Sequence, residues 1–424
     1  MTIRLRSRDF RLLLAGQTTS QLGTQVAGIA VPLLAVGTLH AAAFEVGLVN
    51  AASTVAFALI GLPAGAWLDG RSHRPVLVTA DLVRATALLT IPVAGWLGIL
   101  SIAQLVVVSL VTGTARVFFD VGYQSYLPTI VGRNGVLAGN SAMESLRAGS
   151  QVAGPGIGGI LVSAIGAANL LLTQSVTFLA SAASLLAIRA VEPRQVHPPD
   201  RPHLWARVLE GLRFVAGNRI LRATALASAL SNFSFAMGSA VTVIFLARNL
   251  ALPSWAIGLL FALGAVGAMG GAAFTPWFSR RIGSARVIWV SLAVTAPFGF
   301  LVVLAQPGWG ILLAIIGMIG GELGQIVYAV TNVSLRQQLC PERILSRVSA
   351  TMRVLIMGLF PVGAIIGGML GDLAGARLAL LVVALVGSAA PVALWITLRK
   401  TRDTEQLEPW AAQDKHTDDE ASST

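Results

Sequence analysis

The chain has 424 residues, 55% of them hydrophobic and only 12% charged, with a formal net charge of +11 and a mean hydropathy of +0.76. Soluble proteins carry about 25% charged residues, and no polar stretch here is long enough to fold by itself, so a soluble enzyme is excluded. The single cysteine, Cys340, excludes an intramolecular disulfide and a multi-cysteine metal site and reads as an inert loop-end residue.

Apolar stretches long enough to cross a hydrocarbon core of about 30 Å recur along the chain. Twelve spans are expected, at roughly 11–39, 45–69, 75–98, 102–127, 140–164, 168–189, 220–247, 254–279, 285–305, 308–333, 346–371 and 376–398. The first exceeds the h-region of a signal peptide, about 7–15 residues, so it stays in the membrane. The fold expected is an all-α membrane protein with two pseudo-symmetric six-helix bundles, 1–190 and 220–398. Between them, 191–219 forms a cytoplasmic linker rich in proline, in which 204–215 alternates apolar and basic residues at helical spacing. An amphipathic helix on the membrane surface fits that pattern; a soluble linker helix is the alternative. The polar tail, 399–424, is expected to be disordered.

Arginines set the orientation. Arg4, Arg6, Arg8 and Arg11 stand at the start, Arg71 and Arg74 after the second span, and further groups in every second loop thereafter. The alternate loops near 40–45, 97–103, 164–169 and 305–309 contain no Lys or Arg. By the positive-inside rule both termini are cytoplasmic, in the inner membrane of a cell. The same rule accounts for the net charge without any nucleic-acid partner. Trp67, Trp96, Trp255, Trp277, Trp289, Trp309 and Trp395 fall near expected span ends, where interfacial aromatic belts form.

In chain order, the first span carries Gln17, Gln21, Thr24 and Gln25 along one face. The second ends in a polar knot, Gly65-Ala66-Trp67-Leu68-Asp69-Gly70-Arg71-Ser72-His73-Arg74-Pro75. Gly61, Gly65 and Asp69 share one helix face, where glycines admit a neighbouring helix closely and a carboxylate faces its positive end. Asp81 and Arg84 begin the third span, Asp120 lies near the inner end of the fourth, and Glu144 and Arg147 begin the fifth. With Asp69, Arg71 and Arg74 they are expected to form a charge network that latches an inner gate; simple mutual pairing at helix ends is the alternative. Arg116 sits deeper in the fourth span. The fifth span contains Gly154-Pro155-Gly156-Ile157-Gly158-Gly159, where proline bends the helix and the glycines let the bend press on a partner.

In the second half, Asn232 and Phe235 of the seventh span and Gln325 and Tyr328 of the tenth suggest an adaptable cavity for bulky, mostly apolar ligands. Helix-packing glue is the competing reading for each. Glu322 falls at the middle of the tenth span among Gly320, Gly321 and Gly324. A carboxylate there costs several kcal/mol unless paired or wet, which makes it a functional candidate; a hydrogen-bonded packing residue is the other reading. The halves match at an offset of 209 residues, Gly61 to Gly270, Arg71 to Arg280 and Gly158-Gly159 to Gly367-Gly368. Parallel repeats of this kind occur in secondary transporters.

The pattern G-x-x-x-D-x-R-x-x-R ending at Arg74 resembles the signature loop of the major facilitator superfamily, with Gly70 and Ser72 departing from its usual form. Gly154, Pro155, Gly158 and Gly159 resemble the G-P-x-x-G-G signature of its proton-exchanging exporters. Phe118-Phe119-Asp120 and Tyr126-Leu127-Pro128, with Arg347-Val348-Ser349-Ala350, are similar to the branch holding macrolide and siderophore exporters. The resemblance implies an efflux transporter for a hydrophobic or amphiphilic small molecule, coupled to protons, working as a monomer without cofactor, metal or catalytic residues. Two acids usual in that branch are replaced, by Thr24 and Gln174, which leaves Glu322 and Arg116 as coupling candidates. A siderophore or metabolite exporter and an uptake permease are the alternatives within the class. A non-transporting receptor or scaffold is the alternative outside it. No nucleotide-binding G-x-x-x-x-G-K-[ST] occurs, so ATP is not the direct energy source.

Overall fold

The computed structural model describes residues 7–68, 71–132, 136–190, 212–340 and 342–404. Twelve segments are long and apolar enough to cross a membrane, from Arg8–Gly37 to Ala376–Leu398, and no strand occurs among the described residues.

The helices are α1 (Arg8–Ala27), α2 (Ala30–Gly37), α3 (Ala43–Leu68), α4 (His73–Trp96), α5 (Ile102–Val131), α6 (Val136–Ile165) and α7 (Ala167–Ala187). They continue as α8 (Arg219–Ile244), α9 (Ser254–Ile282), α10 (Arg286–Leu304), α11 (Ile311–Leu339), α12 (Glu342–Gly358), α13 (Phe360–Ala374) and α14 (Ala376–Leu398). A π-helical turn, Phe245–Asn249, extends α8. The first span, expected as one rod, breaks at residues 28–29. Pro32, in the first turn of α2, has no N–H to offer the carbonyl four residues back, so the ladder stops there. Pro361 interrupts the eleventh span between α12 and α13 in the same way.

Helix ends find partners. Ser7 Oγ accepts from Phe10 N at 3.2 Å and Ser101 Oγ from Gln104 N at 3.3 Å, each removing one orphan donor from a first turn. Asn218 Oδ1 accepts from Ile220 N at 2.9 Å and Leu221 N at 3.0 Å at the start of α8.

Contacts gather the chain into two compact units. The first holds 1–201 with 236–263 and 360–379, so it combines the N-terminal spans with end portions of α8 and α9, the whole of α13 and the start of α14. In it α1 packs on α6 and α7, α4 on α5 and α7, and α3 on α5 and α13. Its core includes Phe10, Leu13, Leu77, Phe119, Tyr126 and Leu185. The second unit holds 202–235, 264–359 and 380–424. There α10 packs on α11, and Ile288, Leu292, Val327, Tyr328, Leu335 and Leu394 share a core. The division by contact thus cuts across the sequence repeat, because 236–263 and 360–379 associate with N-terminal spans.

The chain past α14 folds back within the second unit. Ala285 N and Arg286 N donate to Arg402 O at 3.0 and 3.3 Å. Ser284 N donates to Asp403 Oδ1 at 3.0 Å, and Thr404 N to Ser284 Oγ at 2.8 Å. Residues 401–404, expected to belong to the disordered tail, therefore cap α10; the remainder of that tail lies outside the described residues. So does most of the 204–215 segment, of which 212–215 are helical.

Cys340, buried at the end of α11, packs with Val215, Leu221 and Val348. Burial pushes its thiol up to about 11, so it remains a protonated thiol at pH 7–8. A maleimide at pH 7.5 should leave the folded protein unlabelled and label it after denaturation. Rapid labelling of the folded protein would contradict this placement.

Candidate functional site

Asp69 and Gly70 lie outside the described residues, so the knot is seen through its flanks. The Arg71 guanidinium stands 4.0 Å above the Trp67 ring, a cation–π contact suited to an interfacial tryptophan. Arg74 reaches the other way. Its Nε donates to Leu185 O at 2.9 Å and its Nη2 to Leu186 O. Those carbonyls lie in the last turn of α7, where Leu185 O also accepts from Ile188 N at 3.3 Å, so Arg74 staples the third span to the sixth.

The remaining charges form local groups. Arg84 pairs with Asp81 three residues earlier, and the two side chains are 8% and 0% exposed. Phe119 and Phe178 sandwich the Arg84 guanidinium at 4.4 and 4.3 Å. Arg116 Nε lies 3.6 Å from Asp120, and both are within electrostatic reach of Arg84. Four charges from α4 and α5 thus share one part of the first unit. Glu144 and Arg147 pair at 2.9 Å on the exposed first half of α6.

The Gly-Pro segment of α6 has two working faces. A Cβ built at Gly154 would fall 2.4 Å from Gln25 Cβ, and one at Gly158 2.1 Å from Val26 O. That face lies against the point where the first span breaks. The opposite face meets α9: a Cβ at Gly159 would fall 2.7 Å from Ser254 O and 2.9 Å from Gly258 Cα. Backbone therefore touches backbone on both sides, which only glycine permits. Replacing Gly158 by Val should cost about 1–3 kcal/mol by overpacking, read as a lower melting temperature in detergent. An unchanged melting temperature would contradict the close approach. Gly258 and Val26, the partners, carry no sequence signal of their own; only the G-x-x-x-G-like spacing of small residues in α9 hints at one.

In the second unit Tyr328 is 2% exposed. Its hydroxyl lies 2.5 Å from Ser228 Oγ, which also accepts from Asn332 Nδ2 at 3.0 Å. Ser231 Oγ donates to Gln325 Oε1 at 3.0 Å, and Asn232 Nδ2 to Ser228 O at 2.9 Å. The bonds of Ser228 with Tyr328 and Asn332 and of Ser231 with Gln325 join α8 to α11, while that of Asn232 stays within α8. Phe235 remains exposed. Glu322 is half-buried on α11, and its Cγ would lie 3.3 Å from a Cβ built at Gly264 of α9. Among the described residues it has no ion-pair partner.

In the first unit Gln17 is buried with no hydrogen-bond partner for its Nε2 among the described residues. Thr24 turns its hydroxyl onto Ser20 O at 2.8 Å. Gln21 is half-buried, and Gln25 is the residue that Gly154 meets. Among the described residues no three His, Cys, Asp or Glu side chains come together to hold a metal.

Twelve apolar segments among the described residues, a Gly-Pro helix packed backbone to backbone and charge pairs within spans describe a polytopic membrane protein. Residues 3–421 match the model of the transmembrane secretion effectors, and the chain belongs to that family of major facilitator transporters. It is 29% identical over 387 residues to the multidrug efflux pump Tap of Mycolicibacterium fortuitum, covering 88% of this chain and 92% of the relative. Among solved structures it resembles a mutant form of the nucleoside transporter NupG, with a TM-score of 0.76, 13% identity and coverage of 92% and 100% of the two chains. A bacterial homologue of the iron transporter ferroportin, inward-facing, follows at 0.75 and 16%, covering 91% and 98%. At these identities the structural likeness concerns the fold alone. The superfamily resemblance read from the knot and from the Gly-Pro segment is thereby confirmed.

Proposed function

We propose that this transporter exports a hydrophobic or amphiphilic small molecule across the bacterial inner membrane by alternating access, driven by protons. The observation that carries the reading is the relationship, over 88% of the chain, to a multidrug efflux pump. The helix α6, with Pro155 inside it and held by glycine against two partners, supports it as a pivot. The half-buried carboxylate of Glu322, without a basic partner among the described residues, supports it as the proton carrier. Gln17, Gln21, Thr24 and Gln25 in the first unit and, separately, Asn232, Phe235, Gln325 and Tyr328 in the second are the candidate polar and aromatic contacts to substrate. Asp69, Arg71, Arg74, Asp81, Arg84, Asp120, Glu144 and Arg147 serve the inner gate, and Arg116 tunes their charge. The working molecule is a monomer of two six-span halves, 1–190 and 220–398, with both termini in the cytoplasm, as the arginine distribution requires.

Cells expressing the protein should accumulate less ethidium, or less of at least one compound in a panel of lipophilic drugs and dyes, than cells lacking it. An uncoupler should erase the difference. A panel without any excluded compound would sink the export reading. Exclusion that survives the uncoupler would sink proton coupling.

A further inference from the structure

We propose that Asp372, at the end of α13, is a gate residue: its carboxylate holds the membrane face opposite the termini closed by capping α3. Ala43 N donates to Asp372 Oδ1 at 2.7 Å and Phe44 N to Oδ2 at 2.9 Å. All these residues belong to the first unit. The first N–H groups of a helix lack intrahelical acceptors. Here a carboxylate more than 300 residues away in sequence takes two of them, with a charge that complements the helix dipole. Glu45 Oε2 takes a third donor, Ala42 N, at 2.8 Å. Just before the helix, Arg248 Nη2 donates to Ala41 O at 2.8 Å. Two charged side chains of the C-terminal repeat thus grip residues 41–44 by their backbone.

Glycine lets the helices come that close. A Cβ at Gly368 would fall 2.5 Å from Ala43 O, one at Gly371 2.7 Å from Ala43 Cβ, and one at Gly47 2.5 Å from Ala364 O. A methyl group added at any of these three glycines would press on the facing helix unless the pair shifted slightly.

Two features mark the contact as a gate rather than permanent packing. Asp372 is exposed at the helix end, so on opening both the carboxylate and the freed N–H groups regain water. At Gly47, Gly368 and Gly371 the crossing has no side chain to withdraw. The Asp81–Arg84 pair, by contrast, is buried in the core and has no such route to solvent. The inference rests on the alternating-access reading and the orientation given above, but its test uses no transported compound, so an empty drug panel would leave it standing.

The test adds one cysteine, Asn50→Cys, two turns inside the crossing, where Asn50 faces Ser239 at 3.5 Å. A membrane-impermeant maleimide is applied to whole cells from outside, and each site is read by peptide mass spectrometry. Adding Asp372→Ala should speed labelling at position 50 about fivefold, the shift expected from losing an exposed charged hydrogen-bond pair. Asp372→Asn, which keeps one acceptor oxygen, should fall between. In parallel samples treated with a membrane-permeant maleimide, Cys340 should stay unlabelled, showing that the fold is intact. Equal labelling in Asp372→Ala and its parent overturns the proposal. If Cys340 also reacts in the Asp372→Ala protein, the pair Ala43→Cys and Gly371→Cys decides instead. Its Cβ atoms need only a small shift to reach the disulfide range of roughly 3.5–4.5 Å. Oxidation should suppress labelling at position 50 and reduction should restore it; labelling indifferent to the cross-link overturns the proposal.

Discussion

Replacing Arg84 by Met should destabilise the protein by about 3–5 kcal/mol, because the substitution strands a buried charge. Asp81 is fully buried, and the guanidinium is its ion-pair partner. The guanidinium also fills the slot between Phe119 and Phe178, a packing role that Met reproduces in part. The loss is therefore mainly electrostatic, and removing both charges should recover most of it. The double variant Asp81→Leu, Arg84→Met should unfold nearer the parent than Arg84→Met does, as is found when buried ion pairs give way to apolar groups. Denaturant titration in detergent, run as a double-mutant cycle, measures the coupling. A double variant no more stable than Arg84→Met would show that packing, not charge, dominates. The experiment also separates the two readings of these residues. Pure scaffolding changes stability alone, whereas a gate role slows transport in a double variant that folds well.

Glu322→Gln should abolish the acceleration of efflux by an imposed proton gradient while leaving counterflow of the same compound intact. Glutamine keeps the shape and the hydrogen-bonding capacity but cannot release a proton. Glu322 is suited to this role by its setting: it lies at mid-span, half-buried, with its stem against Gly264. Glu322→Asp, which retains the acid, should keep part of the response. Vesicles in which the Glu322→Gln protein still answers fully to an imposed pH difference would exclude Glu322 as the carrier. Arg116→Gln supplies the contrast. Because Arg116 pairs with Asp120 on its own helix, its loss should shift the rate without removing the response to the gradient.

The spans and the Gly-Pro segment of α6 were legible because they rest on local physics. Twenty apolar residues need no partner to announce a span, and Gly154, Gly158 and Gly159 announce a close-packed helix whatever lies beside it, although α6 runs unbroken through Pro155. The break in the first span was also written locally, in Pro32, but it hides inside an apolar run that otherwise reads as continuous. The partners of Gly154 and Gly158 were not legible. Backbone contacts such as that with Val26 O leave no side-chain trace in the sequence of the partner helix. Asp372 escaped for a related reason. An acid at a span end looks like ordinary loop chemistry, and its ligands are the amides of Ala43 and Phe44, which any sequence would offer. The signal that points to it is the stripe Gly367, Gly368 and Gly371 immediately before it, which marks a helix pressed against another backbone. Arg74 belongs to the same class: it was expected in a charge network, and it also holds carbonyls at the end of α7.

The fold-back of residues 401–404 bears on how the protein is handled. Trimming the chain to Leu398 would strip the acceptors from Ser284, Ala285 and Arg286 and leave the first turn of α10 bare. An affinity tag or fluorescent fusion joined after Thr404 leaves that cap in place, whereas a junction at Arg399 replaces it with foreign sequence. Poor yield from a shortened version would then report a frayed helix start rather than a defect in insertion.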